Sequence, residues 1–307
     1  AIWYASRIMT ETTAALLLLA ALGAFLWTTS TNRRVLPATL TGSLWALSAL
    51  NRPILLLIPM ALLGGQLLLS RFGPIDWGLS RIQWMISLAA FVVVMSPWTV
   101  RNFVEHGVFM PGTSGSGYVL LISNGTLDHP TVRNGGYYKH PDLMAMRNQV
   151  QGEAERDAFS RNLALEQIRE NWRFLPEVLF SRVINFWTTR PDPFDPSWTR
   201  NDWIMLFIWG PTLALFLASS FIRRWRHSWP VLTTILYVFV FGLPFWSIAR
   251  FRFSVDSLIV IGAVVGLMEL VHRIGGVWQP KPLWLNSIIA SMDTNERTRE
   301  ERRPSPR

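Results

Sequence analysis

Arginines at the borders of apolar segments are the side chains in this sequence best suited to chemistry. Arg52, Arg250 and Arg252 each directly adjoin a long run of apolar residues. A guanidinium group at such a depth either extends to the lipid headgroups or pairs with an anion. For any one of these arginines, extension to the headgroups stays open. The planar fork of arginine suits bidentate phosphate binding and a lipid phosphate is the local anion, so the Arg250/Arg252 pair predicts a lipid-phosphate site.

Glu11 is the second outlier, a carboxylate at the start of the first long apolar segment. The simpler interpretation is a favourable acid at a helix amino terminus, where the helix dipole is positive. In the topology predicted below, however, Glu11 lies on the same side as Arg52 and the Arg250/Arg252 pair. A carboxylate beside a phosphate site suggests a ligand for a divalent metal ion or a general base.

The polar middle of the chain contains weaker signals. The run Gly112–Gly117 is rich in glycine, but no Lys-Ser/Thr follows it and no strand precedes it. It therefore satisfies neither the P-loop nor the dinucleotide-binding pattern, and we interpret it as flexible loop. His106, His129 and His140 are too irregularly spaced for a metal-binding motif.

Composition indicates which class of protein positions these residues. The chain has 307 residues and no cysteine, with 29 Lys+Arg, 20 Asp+Glu and 16 tryptophans. Half of the residues are hydrophobic and only 16% are charged, against about 25% in soluble domains. The absent cysteine excludes a disulfide scaffold, a thiol nucleophile and a Cys-ligated zinc site. Basic residues interrupt apolar runs instead of forming a polar face, which argues against nucleic acid and favours a membrane protein.

Seven segments read as transmembrane helices, since about 17 to 25 apolar residues cross a bilayer. The predicted fold is therefore an all-α polytopic membrane protein. Arg52 marks the turn of a tight hairpin between the second and third spans, and the seventh carries Asp256 and Glu269 near its ends. The predicted spans are Thr12 to Asn32, Val35 to Asn51, Pro53 to Ser70, Ile82 to Val100, Trp203 to Ile222, Ser228 to Ala249 and Phe253 to Val271.

The distribution of positive charge predicts the orientation of these spans. Alternating seven spans places 14 Lys/Arg on one side, including the tail from Arg273 to Arg307, and only four in the short segments of the other. The first side is therefore cytoplasmic by the positive-inside rule. The predicted division is residues 1–100 with four spans, 101–202 as an extracytoplasmic loop, 203–272 with three spans, and 273–307 as a basic, partly disordered tail. We expect a multi-pass protein of a bacterial inner membrane.

The extracytoplasmic loop divides into two halves. Residues 107–141, dense in Gly, Ser, Thr, Asn and Pro, predict irregular structure. The second half predicts two amphipathic helices, which either lie on the membrane surface or pack on each other. The apolar stripe of the first is Ala154, Ala158, Leu165, Ile168 and Trp172. That of the second, opened by Pro176 and ended by Pro191, Pro193 and Pro196, is Val178, Leu179, Val183, Phe186 and Trp187.

The order of several motifs resembles one enzyme family. The segment Gly42–Pro53 resembles the "G-x-x-x-G/A-L-x-x-L-T-R-P" motif of the GT-C superfamily of polytopic glycosyltransferases, in particular the bacterial family related to dolichyl-phosphate-mannose protein mannosyltransferases and the lipid A aminoarabinose transferase. The further motifs of that family are matched by Pro97–Asn102, Gly107–Pro111, Ser123–Gly125, Gly135–Tyr137 and Arg250–Arg252. Ser254 departs from the proline frequent near the last motif.

The resemblance implies transfer of a sugar from a polyprenyl-phosphate donor to a hydroxyl of a lipid, glycan or protein at the outer membrane face. It implies donor-phosphate binding by Arg52, Arg250 and Arg252. Glu11 matches the family's second acidic position, which binds a metal or positions the acceptor. The family's principal catalytic carboxylate would precede Ala1, and since the chain also begins without Met or a signal peptide, we expect a carboxyl-terminal fragment.

Three positioning residues complete the predicted site: Arg101 and Asn102, at the base of the loop, and Asn124 within it. Two other functions stay open at this point. A transporter of lipid-linked sugars would also use arginines, although its ligands belong at mid-membrane depth. A ligase or polymerase of surface polysaccharide would share both the large outer loop and the arginines. A structural scaffold is the simplest alternative.

Overall fold

A computed structural model describes residues 2–31, 35–72, 78–113, 115–188, 199–222, 225–245 and 249–275. Within these ranges every regular element is helical, as predicted. The predicted tail beyond residue 275 and the Pro191–Pro196 cluster lie outside them, as do the side chains of Glu11 and Arg250. The α-helices are α1 (Ile2–Ser30), α2 (Val35–Asn51), α3 (Ile58–Ser70), α4 (Arg81–His106), α5 (Ser116–Asn124), α6 (Pro130–Arg133), α7 (Pro141–Gln149), α8 (Glu153–Glu170), α9 (Leu175–Trp187), α10 (Arg200–Ile222), α11 (Trp225–Gly242) and α12 (Ala249–Gly275).

Four helical segments are long and apolar enough to cross a membrane, judged by length and composition. They are Thr12–Ser30, Pro53–Ser70, Arg81–His106 and Asp202–Ser219, and each corresponds to a predicted span. The segment Ser228–Gly242 is apolar but shorter. Helices α2 and α12 cover the two remaining predicted spans, and the seven-span topology stays a prediction.

Small residues bring α2 and α4 into close contact. A Cβ atom at Gly42 would overlap the backbone oxygen of Ser87, so only glycine permits this approach. The Ser87 hydroxyl then donates a hydrogen bond of 2.9 Å to the carbonyl oxygen of Ala38. Lipid tails are as apolar as the side chains of such helices, so no hydrophobic effect drives the helices together in a bilayer. Close backbone contacts of this kind let them associate through van der Waals packing and hydrogen bonds. The glycine of the Gly42–Pro53 motif therefore has a packing role.

Aromatic side chains fill the centre of the bundle. Trp45 and Trp84 stack with ring centroids 5.8 Å apart, and Phe25 contacts both. Trp229 meets Phe25 edge-on at 5.9 Å, so the cluster joins α1, α2, α4 and α11. Aromatic rings pack with offset or edge-to-face geometry because of their quadrupoles. The Nε1 atom of Trp84 also donates to Oε1 of Gln66, which ties α3 to this core.

The loop between α4 and α10 is more ordered than predicted. Its first half, expected to be irregular, contains α5 and α6. Helix α5 begins where the Gly117 N–H donates a 2.7 Å hydrogen bond to the buried carboxylate of Asp157 in α8. An acceptor from another helix thus satisfies an amide that the helix itself leaves unpaired. This tertiary contact is why glycine- and serine-rich sequence folds as a helix here.

The two predicted amphipathic helices form as α8 and α9, with differences in their packing. Helix α8 packs on α5, whereas α9 packs on α12 and α6, so the two are not a self-contained pair. The predicted stripe of α8 is partly wrong, because Leu165 is 52% exposed and Trp172 is 67% exposed. The face that α8 buries consists of Ala154, Asp157, Ser160, Leu163 and Ala164.

Candidate functional site

A cavity of about 430 Å³ lies where α4 ends. The helix stops because Gly107 adopts a left-handed conformation with φ of 69°, which turns the chain back over the last helical turns. The cavity lies between those turns, the returning segment and the start of α8. Its lining residues are Trp98, Arg101, Asn102, Glu105, His106, Met110, Gly112, Thr113 and Glu153.

Asn102 and Trp98 hold the returning segment in place. Asn102 is 3% exposed, and its Nδ2 donates to the carbonyl oxygens of Met110 and Gly112 at 2.9 and 3.3 Å. The indole Nε1 of Trp98 donates to the same Gly112 oxygen at 3.0 Å. These bonds satisfy backbone carbonyls that no regular element pairs. Asn102 therefore shapes the cavity wall.

Arg101 presents a cation to the same cavity. Its guanidinium lies 5.3 Å from the centroid of the Trp98 ring, and its Nη1 is 3.3 Å from Oδ1 of Asn102. The side chain is exposed. The guanidinium therefore has a cation–π contact with the indole, and its planar set of N–H donors suits an anion.

Two carboxylates that we had not singled out from the sequence, Glu105 and Glu153, also line the cavity. The lining thus contains one guanidinium, two carboxylates and the His106 imidazole. Glu105 follows Arg101 by four residues, a spacing that places both on one helix face and could have identified it. Glu153 lies at the start of α8 and reaches the cavity through the fold alone. An arginine and carboxylates in one cavity can bind an anion and accept a proton from a hydroxyl.

The Arg52–Pro53 turn adjoins this cavity. Arg52 is extended, with φ of −137° and ψ of 107°, as expected for a residue before proline. The Tyr237 hydroxyl donates to the carbonyl of Ile54 at 2.6 Å and accepts from the Leu57 N–H at 3.2 Å, which fixes the turn to α11. A Cβ atom at Gly112 would lie 3.6 Å from Cβ of Pro53. The turn thus backs the wall of the cavity without Arg52 being among the lining residues.

Arg252 lies elsewhere, buried inside the protein with 1% of its surface exposed. Its Nε donates to Oδ1 of Asp256 at 2.7 Å, and its Nη1 donates to the carbonyl oxygens of Phe186 and Thr188 at 2.8 and 3.0 Å. The guanidinium also lies 5.0 Å from the Trp209 ring centroid. The structure therefore does not bring Arg252 to the cavity that contains Arg101.

Asn124 belongs to a third cluster, centred on Arg182, a residue that we had not selected from the sequence. Arg182 is fully buried, and it donates to Oδ1 of Asn124 at 3.1 Å and to the carbonyl oxygens of Leu243 and Ser123 at 3.0 and 2.6 Å. Asn124 in turn donates to the carbonyl oxygen of Pro244 at 2.8 Å. Burial lowers the pKa of Arg182 to about 10, because desolvation penalises the charged form. These bonds fasten α5 and α9 to the end of α11.

Within the residues that the structure describes, no three side chains of His, Asp or Glu are grouped so that they could hold a metal ion. Comparisons with models of protein families, with curated proteins and with solved structures find no match to this chain.

Proposed function

We propose that this protein is a polytopic membrane glycosyltransferase that transfers a sugar from a polyprenyl-phosphate donor to a hydroxyl of a lipid, glycan or protein at the outer face of a bacterial inner membrane. The observation that carries the proposal is the cavity at the end of α4, in which Arg101 lies with two carboxylates. The cavity lies at the end of a helix that is long and apolar enough to span the bilayer. A donor anchored in lipid would reach it along that helix.

The residues of the cavity suit the two changes of charge in such a transfer, which are the negative charge that develops on the departing phosphate and the proton that leaves the acceptor hydroxyl. The bond between the anomeric carbon and the phosphate oxygen breaks as the acceptor oxygen bonds to that carbon, and the acceptor proton passes to a carboxylate. Arg101 would bind the phosphate and stabilise the negative charge that develops on it as the leaving group. Glu105, one helical turn from Arg101, is the proton acceptor in this proposal, which departs from the resemblance, since that puts the principal catalytic carboxylate before Ala1.

The three arginines that were predicted to bind the phosphate have different roles in this proposal. Arg52, at the turn behind the cavity wall, adds positive charge to the region, and Arg250 stays a predicted ligand. Arg252 is assigned to packing because its Nε and Nη1 already donate to protein acceptors. The roles of Glu11 and of a divalent metal ion stay as predicted from the resemblance.

The test uses the full-length protein in lipid nanodiscs with radiolabelled polyprenyl-phospho-sugars. Arg101→Ala should weaken binding of polyprenyl phosphate, followed by native mass spectrometry, and should reduce transfer of label, while Arg101→Lys should retain part of both. Glu105→Gln should reduce transfer at least tenfold but leave phosphate binding unchanged, since general-base catalysis contributes about 10²- to 10⁴-fold. Arg173→Ala is the matched control, because this exposed arginine stacks on Phe174, away from the cavity.

Two outcomes would refute the proposal. One is that the Arg101→Ala variant binds polyprenyl phosphate as tightly as the wild-type protein does. The other is movement of the intact lipid-linked sugar across the bilayer without cleavage of its phosphate bond, which would identify a transporter.

A further inference from the structure

Helix α9 has an exposed row of apolar side chains as well as a buried face. The buried residues of this helix are Val178, Arg182, Asn185 and Phe186. Phe180 and Ile184 are 67% and 52% exposed, and because they are four positions apart they lie next to each other on the helix surface. The same interval leads back to Pro176, exposed in the first turn, and to Trp172, exposed in the turn before the helix. We call Trp172, Pro176, Phe180 and Ile184 the α9 row.

The buried face of α9 packs against the ends of two predicted spans. The Arg182 guanidinium donates to the carbonyl oxygen of Leu243, just after α11 ends, and the Phe186 carbonyl oxygen accepts from Arg252, near the start of α12. The ring centroids of Phe186 and Phe239 lie 5.1 Å apart. The predicted topology places the end of α11 and the start of α12 at the outer membrane surface. Helix α9 is therefore fixed at that level of the bundle.

The position of α9 indicates which partner covers the α9 row. A bilayer surrounds a bundle of membrane-spanning helices at the level where the helices end, so lipid meets a side chain that is exposed there. Phe253, which follows Arg252 in α12, is 42% exposed at the same level. Helices that lie in a membrane interface carry Trp, Phe and Leu on their apolar face, and the α9 row contains the first two of these. A protein partner would first have to displace lipid from the row.

We propose that the α9 row lies in the outer-leaflet interface of the membrane, with Phe180 and Ile184 at the boundary between the lipid headgroups and the acyl chains. The partner is the phospholipid surface itself, and burial of the apolar side chains supplies the favourable free energy. This role depends on the predicted membrane topology and not on the transfer reaction, since no residue of the α9 row is assigned a part in that reaction.

Contact with lipid would also fix the wall of the cavity at the end of α4. Arg182 of α9 donates to Oδ1 of Asn124, at the end of α5. The Gly117 N–H, at the other end of α5, donates to Asp157 of α8. Helix α8 in turn brings Glu153 to the cavity. An α9 row that is held by lipid therefore holds α5 and α8 at a set height above the membrane.

Spin labels on single cysteines test this placement, because the chain contains no cysteine of its own. Phe180→Cys and Ile184→Cys are labelled one at a time in the protein in phospholipid nanodiscs, and collisions with oxygen and with a water-soluble nickel chelate measure the depth of each nitroxide. Both labels should lie about 5 to 10 Å into the interface, where oxygen collides more often than the chelate does. The controls are Val93→Cys, exposed in the middle of a predicted span, which should lie deeper, and Glu166→Cys, exposed on α8, which should lie in water.

Two results would overturn the inference. A nickel-chelate collision rate at Phe180→Cys equal to that at Glu166→Cys would place the α9 row in water. Shielding of Phe180→Cys and Ile184→Cys from both reagents would show that protein, such as a second copy of the chain, covers the row. The melting temperature of each labelled variant shows whether it is folded. Neither result would alter the binding of polyprenyl phosphate at Arg101, so failure here is distinguishable from failure of the proposed function.

Discussion

The Nη1 atom of Arg252, in α12, lies 2.8 Å from the carbonyl oxygen of Phe186, in the last turn of α9. The last carbonyls of a helix have no partners within it and attract cations. A second bond, to the carbonyl oxygen of Thr188, and the ion pair with Asp256 complete the set. Arg252 thus caps α9 and fastens it to α12.

Arg252→Lys should destabilise the protein by about 1–3 kcal/mol, the cost of leaving buried acceptors unpaired. A lysine keeps the charge but lacks the planar fork that serves Asp256 and the α9 carbonyls together. Hydrogen exchange should accelerate in the last turn of α9, and the melting temperature should fall. Arg173→Lys, a change at an exposed arginine, should alter neither. Loss of polyprenyl-phosphate binding without any change in exchange would instead support the role that the sequence suggested.

Arg182→Met should destabilise the protein by roughly 1–3 kcal/mol at neutral pH, because Asn124, Ser123 and Leu243 lose a donor in a buried setting. Thermal unfolding of both proteins between pH 6 and pH 11 checks this effect and its pH dependence. Burial lowers the pKa of the folded-state arginine to about 10, below its ordinary value. The unfolded chain therefore binds more protons above pH 10, and wild-type stability should rise there relative to the variant.

Below about pH 9 the arginine is charged in both states, so the difference in stability between the two proteins should be constant. A difference that shrinks as the pH rises above 10 would contradict the assigned cause of the pKa shift.

The sequence predicts some of this architecture because span length and composition are local properties. Pro53–Ser70 and Arg81–His106 are apolar enough to be identified without any knowledge of their neighbours. The role of Arg252 could not be deduced in this way, since its acceptors lie 64 and 66 positions away in the chain. Glu153 reaches the cavity at the end of α4 for the same tertiary reason. An arginine beside an apolar run indicates an anionic or carbonyl partner, and the fold decides which.

Gly42→Ala should destabilise the bundle by about 1–3 kcal/mol, because the added methyl group overlaps the backbone of Ser87 and forces α2 away from α4. Gly64→Ala is the matched control, since a Cβ atom at that helical glycine would have no heavy atom within 4 Å beyond its chain neighbours and the local backbone of its own helix. The control should be neutral or stabilising by up to about 1 kcal/mol, from helix propensity. Denaturant titrations in detergent micelles measure both. Equal effects of the two substitutions would refute the close α2–α4 contact.

Single cysteines should report on which side of the membrane each loop lies, because the native chain contains no cysteine. Glu166→Cys places a thiol on α8 and Arg71→Cys places one just after α3, both at exposed positions. Cytoplasmic loops retain positive charge, so the predicted orientation puts Arg71 inside and α8 outside. In intact spheroplasts a membrane-impermeant maleimide should therefore label Glu166→Cys at once and Arg71→Cys only after permeabilisation, with the cysteine-free parent as the control for background. Labelling in the reverse order would show that the predicted topology is inverted. Immediate labelling of both would show that Arg71 and α8 lie on the same side of the membrane, which would contradict the topology on which the proposed outer-face reaction depends.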